Sequence, residues 1–311
     1  MNSTMCAIFS FGMAALAAAG ACFADILPDV PDGAQAVSLG GEPLAAPAPD
    51  AATLARLEAA KADYLRDPRD ADNIIWYARR LAYAGDYRAA IRIFSEGMEH
   101  HPADARMYRH RGHRYITIRA FDRAIADLEH AVELIHGTED EIEPDGLPNA
   151  LNIPVSTLHG NIWYHLGLAY YLKHDWENAW RAYQAGYETG SNDDNRVSTT
   201  HWRYMILRRQ GRQREASAVL DDIRAGMNVI ENDAYHRLCL FYKGEIPLEE
   251  MLPEEGAGGA ALEYGLANWF WYEGERRQAL HRLERLAGAG DWAAFGAIAA
   301  EADLAALGSS P

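Results

Sequence analysis

Cysteine is scarce in this chain of 311 residues: Cys6, Cys22 and Cys239 are all it has. Two of them stand in the leader, so a processed chain keeps one. A single thiol forms neither an intramolecular disulfide nor a cysteine-based zinc site. Basic residues are also few, 29 Lys and Arg against 45 Asp and Glu, for a formal charge of −16. That balance argues against sequence-independent binding to nucleic acid or an anionic membrane surface, because both need a basic footprint. Strand-type alternation is hard to find, and Ala, Leu, Arg and Glu abound. With 49% apolar residues for a core, the class expected is all-α.

Catalytic signatures are missing as well. The GAGG run at Gly256 to Gly259 lacks the strand and lysine of a phosphate loop. Neither Ser156 nor Cys239 lies in a nucleophile elbow, and Cys239 within LCLFY reads as core. Histidines number 12, and His110 and His113 are three apart on one helix, near a zinc-ligand spacing. The surrounding RHRGHR is positive, however, and no acid nearby completes a set. Hence no metal and no cofactor is expected.

The first 24 residues read as a signal peptide. Ala7 to Phe23 is a small-residue apolar run, too short and Ala-rich for a transmembrane span, although MNSTMC supplies no positive n-region. Cleavage after Ala21 or Ala24 would export the chain, to the periplasm on this reading, with no membrane span left after processing. A lipoprotein anchored through Cys22 is the weaker alternative, since Ala19 stands where a large aliphatic residue is normal. Residues 25–50 are rich in Pro, Gly and Ala without periodicity, which predicts a disordered tether.

From residue 51 to 308 the chain repeats. Tyr87 falls on Phe121, Ala90 on Ala124, Phe94 on Leu128 and Gly97 on Ala131, all at a period of 34. That period, with small residues alternating with large ones, is the signature of a tetratricopeptide repeat. Repeats are expected at 71–104, 105–136, 160–193 and 197–228, with degenerate hairpins at 234–252 and 260–290. Ala52 to Leu65 serves as an entry helix, and DWAAFGAIAAEADLAAL as a closing cap. In the third repeat Trp163, Leu166, Gly167 and Tyr170 match the W-x2-L-G-x2-Y pattern without a gap. The fold expected is a right-handed helical-hairpin solenoid.

From Pro68 onward the chain resembles an uncharacterised group of bacterial tetratricopeptide-repeat proteins. RHRGHRYITIRAFDRAIADLEHA, EPDGLPNALNIPVSTLHGNIWYHLGLAYYL and WAAFGAIAAEADLA carry the likeness. The resemblance implies an interaction scaffold and brings no catalytic role.

Residues 137–157 are an insertion between the second and third repeats. It begins with Glu139, Asp140, Glu141, Glu143 and Asp145, and Pro148 and Pro154 forbid a regular helix. A long ordered loop in a compact solenoid is often functional. Repeat numbering places Arg79, Tyr83, Arg106, Arg109, His113, Asn161, Tyr164 and Tyr171 on the concave face. His201, Arg208 and Trp271 join them more loosely, because their hairpins have no secure register. Such a surface suits carboxylates, since the guanidinium fork matches their planar oxygens. The carboxylate-clamp pattern of chaperone-binding tetratricopeptide domains is not met, because Ile75, Arg79, His110, Asn161 and His165 are not the residues it needs. The expectation is therefore a cell-envelope scaffold that binds another protein or an acidic peptide, with the insertion lying across its groove. A hydrolase or metal-dependent enzyme with its site between the insertion and the third repeat is the alternative. A third possibility is that the chain's own C-terminal helix fills the inner face.

Overall fold

A short side chain that accepts the first free N–H starts most of the repeat helices. Asp70 accepts from the Asn73 amide at 2.9 Å, Asp86 from Ala89 at 3.0 Å and Asp104 from Arg106 at 3.0 Å. Asp175 accepts from Asn178 at 3.2 Å and Asn192 from Asn195 at 2.8 Å. Each such N-cap stabilises its helix by about 1 kcal/mol over alanine. The computed structural model describes residues 27–252 and 259–308. The leader, with its cleavage and lipidation sites, lies outside the described residues.

The helices run α1 (Ala51–Arg66), α2 (Ala71–Tyr83), α3 (Tyr87–His100), α4 (Ala105–Thr117), α5 (Phe121–Ile135), α6 (Leu158–Leu172) and α7 (Trp176–Thr189). After these come α8 (Asp193–Arg209), α9 (Gln213–Ala218), α10 (Asp233–Tyr242), α11 (Leu248–Met251), α12 (Gly259–Tyr272), α13 (Arg276–Ala287) and α14 (Phe295–Gly308). Turns of three residues, at 84–86, 118–120, 173–175, 210–212 and 273–275, join five of the hairpins. This is an all-α architecture of tetratricopeptide type. Gly85 (φ +86°) and Arg119 (φ +67°) occupy equivalent turn positions 34 residues apart. Arg119 therefore adopts the left-handed conformation that its missing glycine would take without strain.

Small residues let the paired helices approach. Ala78, Ala90, Ala124, Ala131 and Ala179 are fully buried. A Cβ at Gly167 would stand 2.7 Å from the Tyr183 ring, and one at Gly112 would stand 2.8 Å from Leu128.

One segment differs from expectation. Residues 27–50, predicted as a disordered tether, lie against the repeats. They form a two-stranded antiparallel ribbon, β1 (Ala36–Val37) with β2 (Pro43–Leu44), in which Ala36 faces Leu44. Leu27 and Ala36 are buried in the main core. Arg88 donates to the Pro28 carbonyl at 2.8 Å, and the Trp292 indole donates to that of Ala45 at 2.7 Å. Those donors, contributed from 60 and 247 residues away, satisfy carbonyls that a proline-rich strand cannot pair for itself. The closing helix α14 packs on α12 and α13 and reaches inward to α6. Its Asp303, 2% exposed, accepts from Tyr264 at 2.9 Å and pairs with Arg209 and His174.

Gly167→Ala tests the close approach. Its Cβ overpacks a buried ring, so urea unfolding should show a loss of about 1–3 kcal/mol. Gly226→Ala, where a Cβ meets nothing within 4 Å, should change little. Equal stability of the two variants would contradict this packing.

Candidate functional site

The first helices of successive hairpins line the inner face, and two further elements come down onto it. α14 closes one side through Phe295, whose ring lies 5.0 Å from His113 and 5.5 Å from His165. The insertion closes the other, anchored by an antiparallel bridge between Ile142 and Thr157. The Glu143 amide donates to Ser156 O at 3.0 Å, and the Leu158 amide donates to Glu141 O at 2.9 Å. Between the bridge and Gly146 the chain has no regular secondary structure, and Pro144 biases Glu143 toward extended backbone.

That run is gripped by the repeats. The Glu143 carboxylate pairs with Arg109 at 3.0 Å, lies 3.5 Å from His110 Nε2 and accepts from the Asn161 amide. Arg79 donates to the Pro144 carbonyl at 2.8 Å, and Arg80 to that of Gly146 at 2.9 Å. Gly146 lies so near the Tyr83 hydroxyl that a Cβ would collide with it. The insertion's apolar side chains turn away, leaving Ile142, Leu147, Leu151 and Ile153 exposed.

Two cavities flank this strap. One of about 330 Å3 is lined by Asn161, Tyr164, Asn192, Asn195, Asn232 and Tyr235, with Phe295 at its α14 side. The other, about 450 Å3, runs beneath the strap past Arg79 and Tyr83. They share Arg109, Ser156, Asn161 and Glu231 and so form one groove. Its walls are rich in neutral hydrogen-bonding groups. The Asn195 Oδ1 is buried without a partner. Asp194 is fully used, accepting from the backbone amides of Ile230, Glu231 and Asn232 at 2.8–2.9 Å, and it fixes the loop that carries Asn232. Tyr164 and Tyr235 join their hydroxyls at 2.8 Å, and the Trp202 indole donates to Tyr164 at 3.2 Å. Burial raises the pKa of both phenols, so they stay protonated.

Burial first, and nearby arginines second, hold His110 and His113 well below the usual histidine range. His165 is lowered by the same causes. All three are neutral at pH 7. Burial pushes Arg114 down to about 10, so it remains a cation.

Of the residues expected on the concave face, Arg79, Tyr83, Arg109, His113, Asn161 and Tyr164 line the groove. The other five do not. Arg106 turns aside to Asp104 and Asp72. Tyr171 is 1% exposed beneath α12, accepting from the Tyr264 hydroxyl at 3.0 Å. His201 is fully buried, stacked between Tyr235 and Tyr242. Arg208 pairs with Glu273, and Trp271 lies under the Arg276 guanidinium at 3.6 Å. Later elements cover Tyr171 and His201, whereas neighbouring acids redirect Arg106 and Arg208, and Arg276 of its own hairpin holds Trp271. Sequence reasoning missed Asn195, Asn232, Tyr235 and Phe295, which come from hairpins without a clear register and from the closing helix. It also did not single out Glu143 from the acidic run. Among the described residues no group of three or more His, Cys, Asp and Glu is placed to hold a metal ion, and no helix is long and apolar enough to cross a membrane.

No protein-family model and no curated protein matches the chain. Solved structures similar to it include YrrB, described as a TPR protein with an unusual peptide-binding site. It is 18% identical with a TM-score of 0.42, over 81% of this chain and 98% of that one. MamA AMB-1 is 14% identical with a TM-score of 0.38, over 55% of this chain and 94% of that one. The Naa15/Naa10 complex bound to HypK-THB is 16% identical with a TM-score of 0.36, over 78% of this chain and 36% of that one. At these scores the likeness adds nothing to the repeat geometry that this chain itself displays.

His201 gives a pH test. Burial lowers its pKa to about 3, so between that value and the unfolded 6.5 only the unfolded chain takes up the proton. Stability present above pH 6.5 is therefore lost as pH falls below it, at about 1.4 kcal/mol per pH unit for each such histidine. His201→Phe should lose about 2 kcal/mol less than the parent between pH 6.5 and 5 in urea titrations. Parallel losses would show that His201 is not held neutral.

Proposed function

We propose that this chain is a protein- or peptide-binding scaffold whose groove takes an extended acidic segment of a partner, and that the insertion holds that place until displaced. One observation carries the reading: the groove already binds such a segment, its own Glu143–Gly146. A carboxylate sits on Arg109 and Asn161, while Arg79 and Arg80 hold carbonyls of an extended backbone. Main-chain contacts that ignore side-chain identity, joined to one charge-specific contact, are how extended peptides are bound generally. Beyond the strap, the asparagines and tyrosines of the 330 Å3 cavity offer the same kind of amide-directed contact to further residues. The exposed Ile142, Leu147, Leu151 and Ile153 give a partner protein an apolar handle by which to lift the strap. An exported, periplasmic setting belongs to the same reading and rests on the leader.

Catalysis fits the groove less well. Two of the groove's acids are committed, Glu143 to Arg109 and Asp194 to three backbone amides. The histidines beside them are held neutral by burial. Cys239 is buried, and burial pushes its thiol up, away from the nucleophilic thiolate.

Glu143→Gln weakens the strap and leaves Arg109 open. Fluorescence anisotropy with short Glu- and Asp-rich peptides should show affinity about tenfold higher than for the parent, equivalent to about 1.4 kcal/mol. Asn195→Ala in the same background should lose part of it. Peptide binding that is indifferent to both substitutions would refute the reading.

A further inference from the structure

Arg79, Arg109 and Arg114 converge on a third cavity of about 120 Å3, which they line with Tyr83, His110 and His113. The remaining lining is apolar, and no carboxylate belongs to it. The three guanidiniums are unevenly served. Arg109 has Glu143. Arg79 has a backbone carbonyl, the Tyr83 hydroxyl at 3.4 Å and the face of Trp76. Arg114 has His113 Nδ1 at 2.6 Å and the face of Tyr87. Nε of Arg79 and Nε of Arg109 are buried without any hydrogen-bond partner. Buried donors of this kind are rare, and each points to a missing acceptor.

The histidines add donors of their own. His110 accepts at Nδ1 from Arg109 at 2.6 Å, and His113 accepts at Nδ1 from Arg114. A guanidinium only donates, so each neutral ring must carry its proton on Nε2. The His110 Nε2 proton faces Glu143 at 3.5 Å, while the cavity's own lining holds three guanidiniums and no carboxylate; Glu143 and Asp145 line the adjoining cavity.

We propose that this cavity is a site for one small tetrahedral dianion of the phosphate or sulfate class. A dianion answers three convergent guanidiniums better than a monoanion does, and four tetrahedral oxygens can serve forks that arrive from three directions. A single planar carboxylate offers half that charge and acceptors in one plane only. The site is separable from the peptide groove: Arg114 and His110 line this cavity and neither larger one, whereas Asn195 and Tyr235 line the 330 Å3 cavity and not this one.

The test is thermal unfolding of the mature chain titrated with sodium phosphate, and separately with sodium sulfate, at ionic strength held constant with chloride. A saturable rise in Tm with either anion supports the site, and the anion that binds tighter names the source. Arg114→Gln should abolish the rise yet still bind acidic peptides. Arg114→Lys, which keeps charge but loses the fork, should bind about tenfold more weakly. A Tm that follows ionic strength alone, or an undiminished response in Arg114→Gln, overturns the proposal. If Arg114→Gln does not fold, undiminished affinity in Arg114→Lys overturns it as well.

Discussion

A guanidinium withdrawn from water must be given negative charge and acceptors, and Arg109 receives both from a loop that lies outside the repeats. Its side chain is 11% exposed and that of Glu143 is 8%. Breaking such a buried pair from one side costs about 3–5 kcal/mol, because the remaining ion is left uncompensated. The pair therefore fixes where the insertion lies. With Glu143 seated, the Ile142–Thr157 bridge and the Arg79 and Arg80 contacts follow, and the groove acquires its second wall. One charge on an acidic loop sets the shape of the concave face.

The opposite wall depends on burial instead. α14 is a small-residue helix, and Ala297, Ile298, Ala299 and Ala300 are at most 2% exposed. Its polar residues are the tethers: Glu301 pairs with Arg119 at 2.6 Å, and Asp303 with Arg209 and His174. Arg119 links the two ends of the fold. It stands in the left-handed turn where the preceding repeat has glycine, and its side chain also donates to the Trp292 carbonyl at 3.0 Å. The strain at its backbone is held by contacts to residues 173 and 182 positions away. A glycine there would relax the turn and lose the tie to α14.

Much of the repeat framework was legible because its determinants are local. The small residues that let paired helices meet act within one hairpin, and their 34-residue spacing repeats that hairpin along the chain. The groove was legible only where it is made of those hairpins, which is why Arg79, Arg109, Asn161 and Tyr164 were placed on it. Tyr171 has the right register for an open concave face and His201 was placed there without a secure one, but α12 covers the first and α10 the second, and nothing local announces that covering. Residues 27–50 misled for a related reason. Their composition is that of a tether, and what holds them down is remote: donors such as Arg88 and Trp292, and the core in which Leu27 and Ala36 are buried. Glu143 could not be told from its acidic neighbours, because what distinguishes it is a partner on α4.

These features describe a groove that is preformed, lined with amides and occupied by its own chain. A partner segment of like chemistry would compete for contacts already paired, so affinity and release are both set by how tightly the strap is held. Hydrogen–deuterium exchange at residues 141–158, with and without a saturating acidic peptide, tests this most directly. The Glu143 and Leu158 amides should be protected in the free protein and exchange faster once the peptide is bound. Protection that is absent at the start, or unchanged by a peptide that demonstrably binds, would contradict displacement of the strap.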